Sequence, residues 1–314
     1  MPAPAKFVRC FAILALFTLV LAGCGLQPNP AASPPAGKVK VVASVYPVYE
    51  FARRVGGDRI ELTMLVPPGA EPHDWEPTAR EMVAIKAARL FLYHGAGFEN
   101  IDKLLTKDAL GTTRAVAVSD GISVLKDDDG HAHDKQHGKS HADSHIWLDP
   151  VAARQEVANI ATALAAADPQ NADHYRQNAD RFSQELATLD GEYRSGLASL
   201  PRRTIVTSHA AFGYLTKRYN LEQLPIMGLT PDSEPTPERL AAIVRFCRAN
   251  NVKYIFFETI VNPRLAETLA KETGTRLLVL NPLENLTEAE FKQGRDYLSI
   301  MRENLANLRQ ALSE

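Results

Sequence analysis

NADHYRQNADRFSQELATLDGEYRSGLASL, residues 171–200, is the stretch on which the fold turns. Tyr175, Ala179, Phe182, Leu186, Leu189 and Tyr193 recur at alternating spacings of four and three, with charged residues between them. That is the period of one apolar helix face. It predicts a single amphipathic helix of roughly 28 residues, about 40 Å long at ~1.5 Å per residue. Gly191 is its weak point, costing ~1 kcal/mol relative to alanine, and the alternative is a helical hairpin broken there. A single helix of that length would run along both flanking regions and resist hinge bending.

On either side the pattern changes to short β-rich runs alternating with helices. KVKVVASV (38–45), RIELTMLV (59–66), RLFLY (89–93) and TRAVAVS (113–119) read as strands, interleaved with helices over 46–55, 78–88 and 98–105. The second half repeats this with RTIVTSH (203–209), QLPIMGL (223–229), VKYIFFE (252–258) and RLLVL (276–280), separated by helices over 211–219, 237–249 and 263–272. Gly274 suits the position that closes the last of these. Strand and helix in turn imply right-handed βαβ units and mostly parallel sheets. The expected architecture is α/β, two Rossmann-like lobes with parallel sheets joined by one long rigid helix. The N-terminal lobe spans 38–167, the linker helix 168–200 and the C-terminal lobe 201–314. Leu298, Met301, Leu305 and Leu308 mark a final helix that packs back on the body.

Lys6 and Arg9 precede an apolar run over 11–22, which has the charge order and length of a secretory signal and is short for a bilayer span. It ends Leu21-Ala22-Gly23-Cys24, similar to the lipobox of bacterial lipoproteins, in which the cysteine is acylated and becomes the first mature residue. Residues 1–23 are therefore expected to be a lipoprotein signal peptide, Cys24 the lipidation site, and the Pro/Ala/Ser-rich segment 24–37 a flexible tether. The expected location is extracytoplasmic and membrane-anchored, at a cell surface or in a periplasm. Losing Lys6 and Arg9 moves the formal charge from −2 to −4, which argues against nucleic acid as a partner. Cys10 leaves with the signal, so Cys247 has no intramolecular partner and no disulfide framework is expected. With Leu240, Ile243 and Val244 it lies on one helical face, as a small core residue does. A monomer is expected.

GHAHDKQHGKSHADSHIWLDP, residues 130–150, holds five of the nine histidines: His131, His133, His137, His141 and His145. Neutral imidazole is the commonest protein ligand for borderline transition metals, so the chain is expected to handle zinc or a near neighbour. A solvated linker that happens to be His-rich is the bland alternative. Three histidines sit where a site can form. His73 lies in PPGAEPHDWEPTAR between a strand and a helix, His145 in DSHIWLDP before a helix opened by Pro150, and His209 in VTSHAAFGYL at a strand end. Ligands of open parallel sheets bind beyond the carboxyl ends of the strands, so these histidines, 72 and 64 residues apart, can meet in one cleft.

PPGAEPHDWEPTAR, DSHIWLDP, SHAAFGYL and IFFETIVNPRLAETLAKETG resemble, in order, the corresponding segments of the cluster A-I substrate-binding lipoproteins of metal ABC transporters, the ZnuA/TroA-like zinc and manganese receptors. The similarity covers about residue 38 to the C-terminus. It implies two α/β lobes with a metal between them, His73, His145 and His209 as ligands, and an ABC permease with its ATPase subunit as partners. A histidine at the third position tends to mark the zinc branch, and imidazole suits zinc where manganese prefers oxygen, so Zn²⁺ is the expected cargo. That branch also tends to carry a poly-His loop between the second and fourth strands of the N-terminal lobe, here about 127–143, with His131, His133, His137 and His141 as accessory metal ligands.

In LVLNPLENLTEAE many relatives place an aspartate where this chain has Asn281. Glu284, in a PLE pattern like that of receptors binding zinc through three histidines and a glutamate, is favoured as the fourth ligand, with water or Glu71 as alternatives. Glu258, directly after VKYIFF, either fixes the tautomer of a ligand histidine or is a surface acid at a strand end. The rival readings are a manganese or iron receptor of the same family and a secreted zinc hydrolase. The chain has no HExxH pattern and no nucleophile–base arrangement beside the histidines, which weighs against the hydrolase. Some relatives are adhesins, and nothing in the sequence tests that role. Gly95 and Gly97 are expected to form a tight strand-to-helix turn, His94 to be a partly buried structural histidine, and His174 to face solvent.

Overall fold

The computed structural model describes residues 37–126, 142–231 and 235–314. Residues 1–36, with the expected signal, Cys24 and all of the tether but Gly37, and His131, His133, His137 and His141 lie outside the described residues. The N-terminal lobe runs β1 (Val39–Ala43), α1 (Tyr46–Gly56), β2 (Ile60–Met64), α2 (Ala79–Ala87), β3 (Leu90–Tyr93), α3 (Lys107–Leu110), β4 (Arg114–Ala117), β5 (Leu125–Lys126), β6 (Ala142–Asp143) and α4 (Pro150–Ala167). The helix α5 (Ala172–Leu197) follows. The C-terminal lobe then runs β7 (Thr204–Thr207), α6 (Gly213–Tyr219), β8 (Glu222–Pro225), α7 (Pro237–Ala249), β9 (Tyr254–Phe257), α8 (Arg264–Thr273), β10 (Arg276–Val279), α9 (Glu288–Lys292) and α10 (Tyr297–Ser313). No described helix is long and apolar enough to cross a membrane.

Each lobe is built on a four-stranded parallel sheet, ordered β2-β1-β3-β4 and β10-β9-β7-β8. Taken in chain order within each lobe, the two arrangements are the same. Both sheets therefore reverse direction between their first and third strands, where open α/β sheets bind ligands.

The long helix is a single 26-residue element with Gly191 inside it, so the hairpin alternative falls. It begins after Pro169 and a short 3-10 turn, Pro169–Asn171, because proline at that point ends the continuous helical run from α4. Its buried face is Tyr175, Ala179, Phe182, Leu186, Leu189, Tyr193 and Leu197. Each large apolar side chain buried there contributes about 1.5–3 kcal/mol, which outweighs the ~1 kcal/mol cost of one glycine. The two buried phenols are satisfied, Tyr175 donating to Asp168 at 2.7 Å and Tyr193 to the Met301 carbonyl at 2.6 Å. This face packs on α1, α4 and α10 in a core that draws on both lobes. Lys38–Glu314 accordingly forms one compact unit. A second cluster, including Cys247, Ile243 and Ile255, lies under α7 and α8, and a third, including Phe91 and Ile85, under α2.

Two expectations are corrected. The segment 98–105 is not an α-helix but a loop with one 3-10 turn, Asp102–Leu104. Phe98 and Ile101 are each buried in a different cluster, and Gly95, Ala96 and Gly97 all have positive φ, so the chain is drawn inward instead of coiling. The His-rich segment follows all four strands of the first sheet instead of lying between the second and fourth. It is bracketed by the antiparallel pair β5–β6. Tyr214 of α6 ties that pair to the other lobe, accepting from the Leu125 amide at 2.9 Å and donating to the Asp143 carbonyl at 3.1 Å.

Gly191 is exposed and a Cβ there meets nothing within 4 Å. Gly191→Ala is expected to raise the unfolding free energy by ~0.5–1 kcal/mol, read from urea titrations. Gly196→Ala is the contrast, because its Cβ would come within 3.2 Å of Leu305 on α10, and its gain should be smaller or reversed.

Candidate metal centre

The site is assembled at the carboxyl ends of the strands of both lobes. His73 comes from the connection between β2 and α2 and His145 from the turn between β6 and α4. His209 stands two residues past β7, and Glu284 lies on the loop between β10 and α9. His73, His145, His209 and Glu284 each bring one donor atom into a group in which all lie within 4.8 Å of one another. The three imidazole Nε2 atoms converge on one atom, Oε1 of Glu284, at 3.3, 2.9 and 3.0 Å. Glu284, His145 and His209 are fully buried, and only the His73 side chain keeps 7% of its surface.

Two of the imidazoles are fixed from behind. Asp143 takes His145 Nδ1 at 2.9 Å and also accepts its backbone N–H, and Glu258 takes His209 Nδ1 at 2.7 Å. A carboxylate on Nδ1 fixes the tautomer and turns Nε2 inward. Glu258 thus stands behind a site histidine and is not a surface acid, since it is buried. Asp143 was not legible as a partner in the sequence, because it looked like the end of the His-rich loop. Its position two residues before His145, in an Asp-x-His pattern, is the signal that was available.

The loop carrying Glu284 is held in an unusual shape. Leu283 has φ +59°, a left-handed conformation that costs a non-glycine residue about 1 kcal/mol or more. Asn281 supports it. Its Oδ1 accepts the Leu283 amide at 2.8 Å, while Asn304 grips its backbone on both sides at 2.9 and 2.7 Å. Asn281 therefore shapes the loop and is not in the converging group. Asn285 bonds the Pro67 and Ala70 carbonyls at 2.7 and 2.9 Å, and the Gly69 amide bonds Leu286 at 2.7 Å, clasping this loop to the one that bears His73. Arg218 of α6 reaches across to Asp149, the N-cap of α4, at 2.7–2.9 Å.

Glu71 is also outside the converging group. It accepts the His73 amide at 3.0 Å, and burial together with the charge of Glu284 pushes its carboxyl up to about 7. His94 is fully rather than partly buried, 3.1 Å from the equally buried Glu156. It belongs to no ligand group found among the described residues. His174 is half-buried, with its ring 3.0 Å from Asn178.

Charge in the site is balanced internally. Burial alone would raise Glu284, but the charges of His209 and His73 and hydrogen bonds from His145 and His209 hold it well below the usual carboxylate range. Burial would lower His145, yet its bonds to Asp143 and Glu284 outweigh that and raise it to about 9. His209 is raised in the same way by Glu258 and Glu284. Donor atoms around a tetrahedral zinc, with bonds of ~2.0–2.1 Å, lie about 3.4 Å apart. Of the three nitrogen-to-Oε1 distances, that of His73 is close to such an edge, and those of His145 and His209 are shorter, at hydrogen-bond length. Oε2 of Glu284 is buried without a partner, a second oxygen available to a cation.

Two α/β lobes of one topology, meeting over three imidazoles and a buried carboxylate, define a two-lobed solute-binding receptor. The chain belongs to the family described as zinc-uptake complex component A, periplasmic, whose model matches residues 41–311. It is 38% identical over 315 residues to the high-affinity zinc uptake system protein ZnuA of Bacillus subtilis, covering 98% of each chain. The Zn(II)-bound ZnuA-like domain of Streptococcus pneumoniae AdcA superposes with a TM-score of 0.76 at 37% identity, over 88% of this chain and all of that domain. Against the whole zinc-binding lipoprotein AdcA of that species the identity is 36%, and the match spans 88% of this chain and 56% of the relative's length. The laminin-binding protein Lmb of Streptococcus agalactiae, described as bifunctional with adhesin and metal-transporting activity, has a TM-score of 0.77 at 35% identity, over 88% of this chain and 99% of that one. The family is one of substrate-binding receptors, not enzymes.

A histidine whose folded value lies above its unfolded one, ~6.5, stabilises fully below that pH and loses the contribution as pH rises through the folded value. Glu284 has the opposite sign, its contribution being lost in acid. The unfolding free energy of the metal-free protein should therefore fall from about pH 6.5 through about 9, the His145 value. Asp143→Asn should flatten that fall and lower the His145 pKa, followed by imidazole ¹⁵N shifts. An unchanged slope would contradict the assignment.

Proposed function

We propose that the chain is the extracytoplasmic zinc receptor of a metal ABC transporter. It captures Zn²⁺ between its lobes through His73, His145, His209 and Glu284 and delivers it to a membrane permease driven by an ATPase subunit. The observation that carries this reading is the convergence of three Nε2 atoms on one buried carboxylate oxygen. Three nitrogens and one oxygen make a closed four-coordinate set of the kind that zinc takes when no position is left for substrate water. Manganese, which favours six oxygen ligands, is poorly matched by it. The zinc named in the relatives' descriptions supports the same cargo.

Asp143 and Glu258 act as positioning residues, keeping two imidazoles aimed inward. The His-rich segment is read as an accessory capture site whose ligands are not preorganised, so that ordering them costs conformational entropy and binding there is weak. Lipid on Cys24 holds the receptor at the membrane, with residues 24–37 as its tether.

Native mass spectrometry of the mature protein lacking residues 127–141 should find one tightly held zinc per chain, and the intact protein should add weaker equivalents. The deletion spares Asp143, which supports His145. In chelator competition Glu284→Gln is expected to weaken zinc by at least about tenfold and His209→Ala by more. Asn281→Ala should have a smaller effect, arising from the loop it braces. A Glu284→Gln protein that binds zinc as tightly as the parent overturns the ligand set.

For the anchor, Cys24→Ser should yield an exported protein that leaves the membrane fraction. Retention of the variant after a high-salt wash would refute lipid attachment.

A further inference from the structure

Trp147 heads the fully buried side chains by size, and it packs beside the ligand group against His145. It lies two residues after His145, on the short 3-10 turn Ile146–Leu148. Its ring centroid is 5.4 Å from that of His145 and 5.1 Å from that of Phe98, and Phe98 in turn packs on His73 at 4.7 Å. Its indole N–H crosses to the other lobe and donates to the Pro282 carbonyl at 2.7 Å. Pro282 is followed directly by Leu283, with its left-handed backbone, and then by Glu284. On the opposite side the Trp147 carbonyl accepts the Tyr297 hydroxyl at 2.6 Å, so the residue is gripped by the C-terminal lobe through its side chain and its backbone.

We infer that Trp147 is a positioning residue for metal binding: its indole N–H is a strut that sets the distance between the histidine turn of one lobe and the carboxylate loop of the other. The role rests on the zinc-receptor reading. The physical reason lies in the loop. A strained conformation persists only where its surroundings over-determine it. The Asn281 side chain fixes the Leu283 amide from within the loop, whereas the indole fixes it relative to His145. Without the strut the Pro282 carbonyl loses its partner, the loop can relax away from the left-handed region, and Glu284 withdraws from the three imidazoles. His145 keeps Asp143 in that case, so the loss falls on the cross-lobe geometry and not on the tautomer of a ligand. A cage whose fourth donor, the Glu284 oxygen, is free to move no longer holds the four-coordinate set that favours zinc.

The test replaces the N–H and keeps the ring. Benzothienylalanine introduced at position 147 preserves the bicyclic shape and has no donor, and Trp147→Phe provides the simpler variant. Phe91→Leu, in the separate cluster under α2, controls for general loss of packing. Chelator competition with zinc is expected to show a loss of affinity of about tenfold or more for both variants at position 147, the range typical of partners behind a metal site. The visible absorption of bound Co²⁺ should shift, reporting altered ligand geometry. Phe91→Leu should lower the unfolding midpoint with both readouts unchanged. Parent-like zinc affinity and Co²⁺ spectrum in the benzothienylalanine protein would overturn the inference while leaving the receptor reading standing. Failure of the parent protein itself to bind one zinc in the same assay would overturn the receptor reading.

Discussion

A carboxylate removed from water must be compensated, and the rest of this structure follows from how that is done for Glu284. Its side chain is fully buried, a placement that costs several kcal/mol for an unpaired ion. Three imidazoles from three separate connections supply the compensation, all at one oxygen. No single lobe can furnish this set. His73 and His145 belong to the first sheet's side of the molecule, His209 and Glu284 to the second's, so the charge balance can be completed only when the lobes meet. The constraint runs outward from there. Asp143 and Glu258 counter the positive charge that the imidazoles carry, and they do so through Nδ1, leaving Nε2 for the centre.

Matching sheet orders in the two lobes explain why such a meeting is possible. In each, loops leaving the carboxyl ends of parallel strands face the other lobe, and one helix, α5, with α10 packed on it, spans the pair. The shared core makes relative sliding costly, because displacement of either lobe would expose the face of α5 that carries Tyr175, Phe182 and Tyr193. Polar ties between loops then set the finer distances, from Asn285 to Pro67 and from Arg218 to Asp149. The division of labour is general: apolar area supplies most of the free energy, and hydrogen bonds supply geometry.

What the sequence made legible divides along the same line. The long helix, eight of the strands and most helices were readable because their signals are local: a three-four period in 171–200, and runs such as RLFLY and VKYIFFE between breakers. That His73, His145 and His209 can meet was readable from their places at strand ends, but that Glu284, 211 positions from His73, joins them was readable only through a resemblance, since nothing local says so. Phe98 misled because its apolar spacing with Ile101 and Leu105 fits a helix, and only the tertiary structure shows it spent against His73 and Trp147. Asp143 was missed for the converse reason. An acid beside a run of histidines reads as part of that run, its Asp-x-His spacing to His145 being a weak signal, and its role shows only once β6 brings it against the His145 ring. The left-handed backbone at Leu283 has no sequence signature either, because it is imposed by Asn281 and its neighbours against the residue's own preference.

Selectivity can be argued from the walls as well as the ligands. A metal that requires six oxygen donors must recruit water where the protein offers only four side chains. Phe98 and Trp147, both buried, pack edge-on against each other and lie along the His73 and His145 rings. These apolar surfaces offer no hydrogen bonds to ordered water, and water held in such a place needs two to four polar partners. Further coordination would therefore have to draw on the two unpartnered carboxylate oxygens, Oε2 of Glu71 and of Glu284, and not on this wall. A cation satisfied by three nitrogens and one carboxylate makes no such demand. The aromatic pair that packs on the imidazoles thus contributes no donor of its own, so the character of the site rests on the three imidazoles, the carboxylates beside them and the apolar surface that holds the rings.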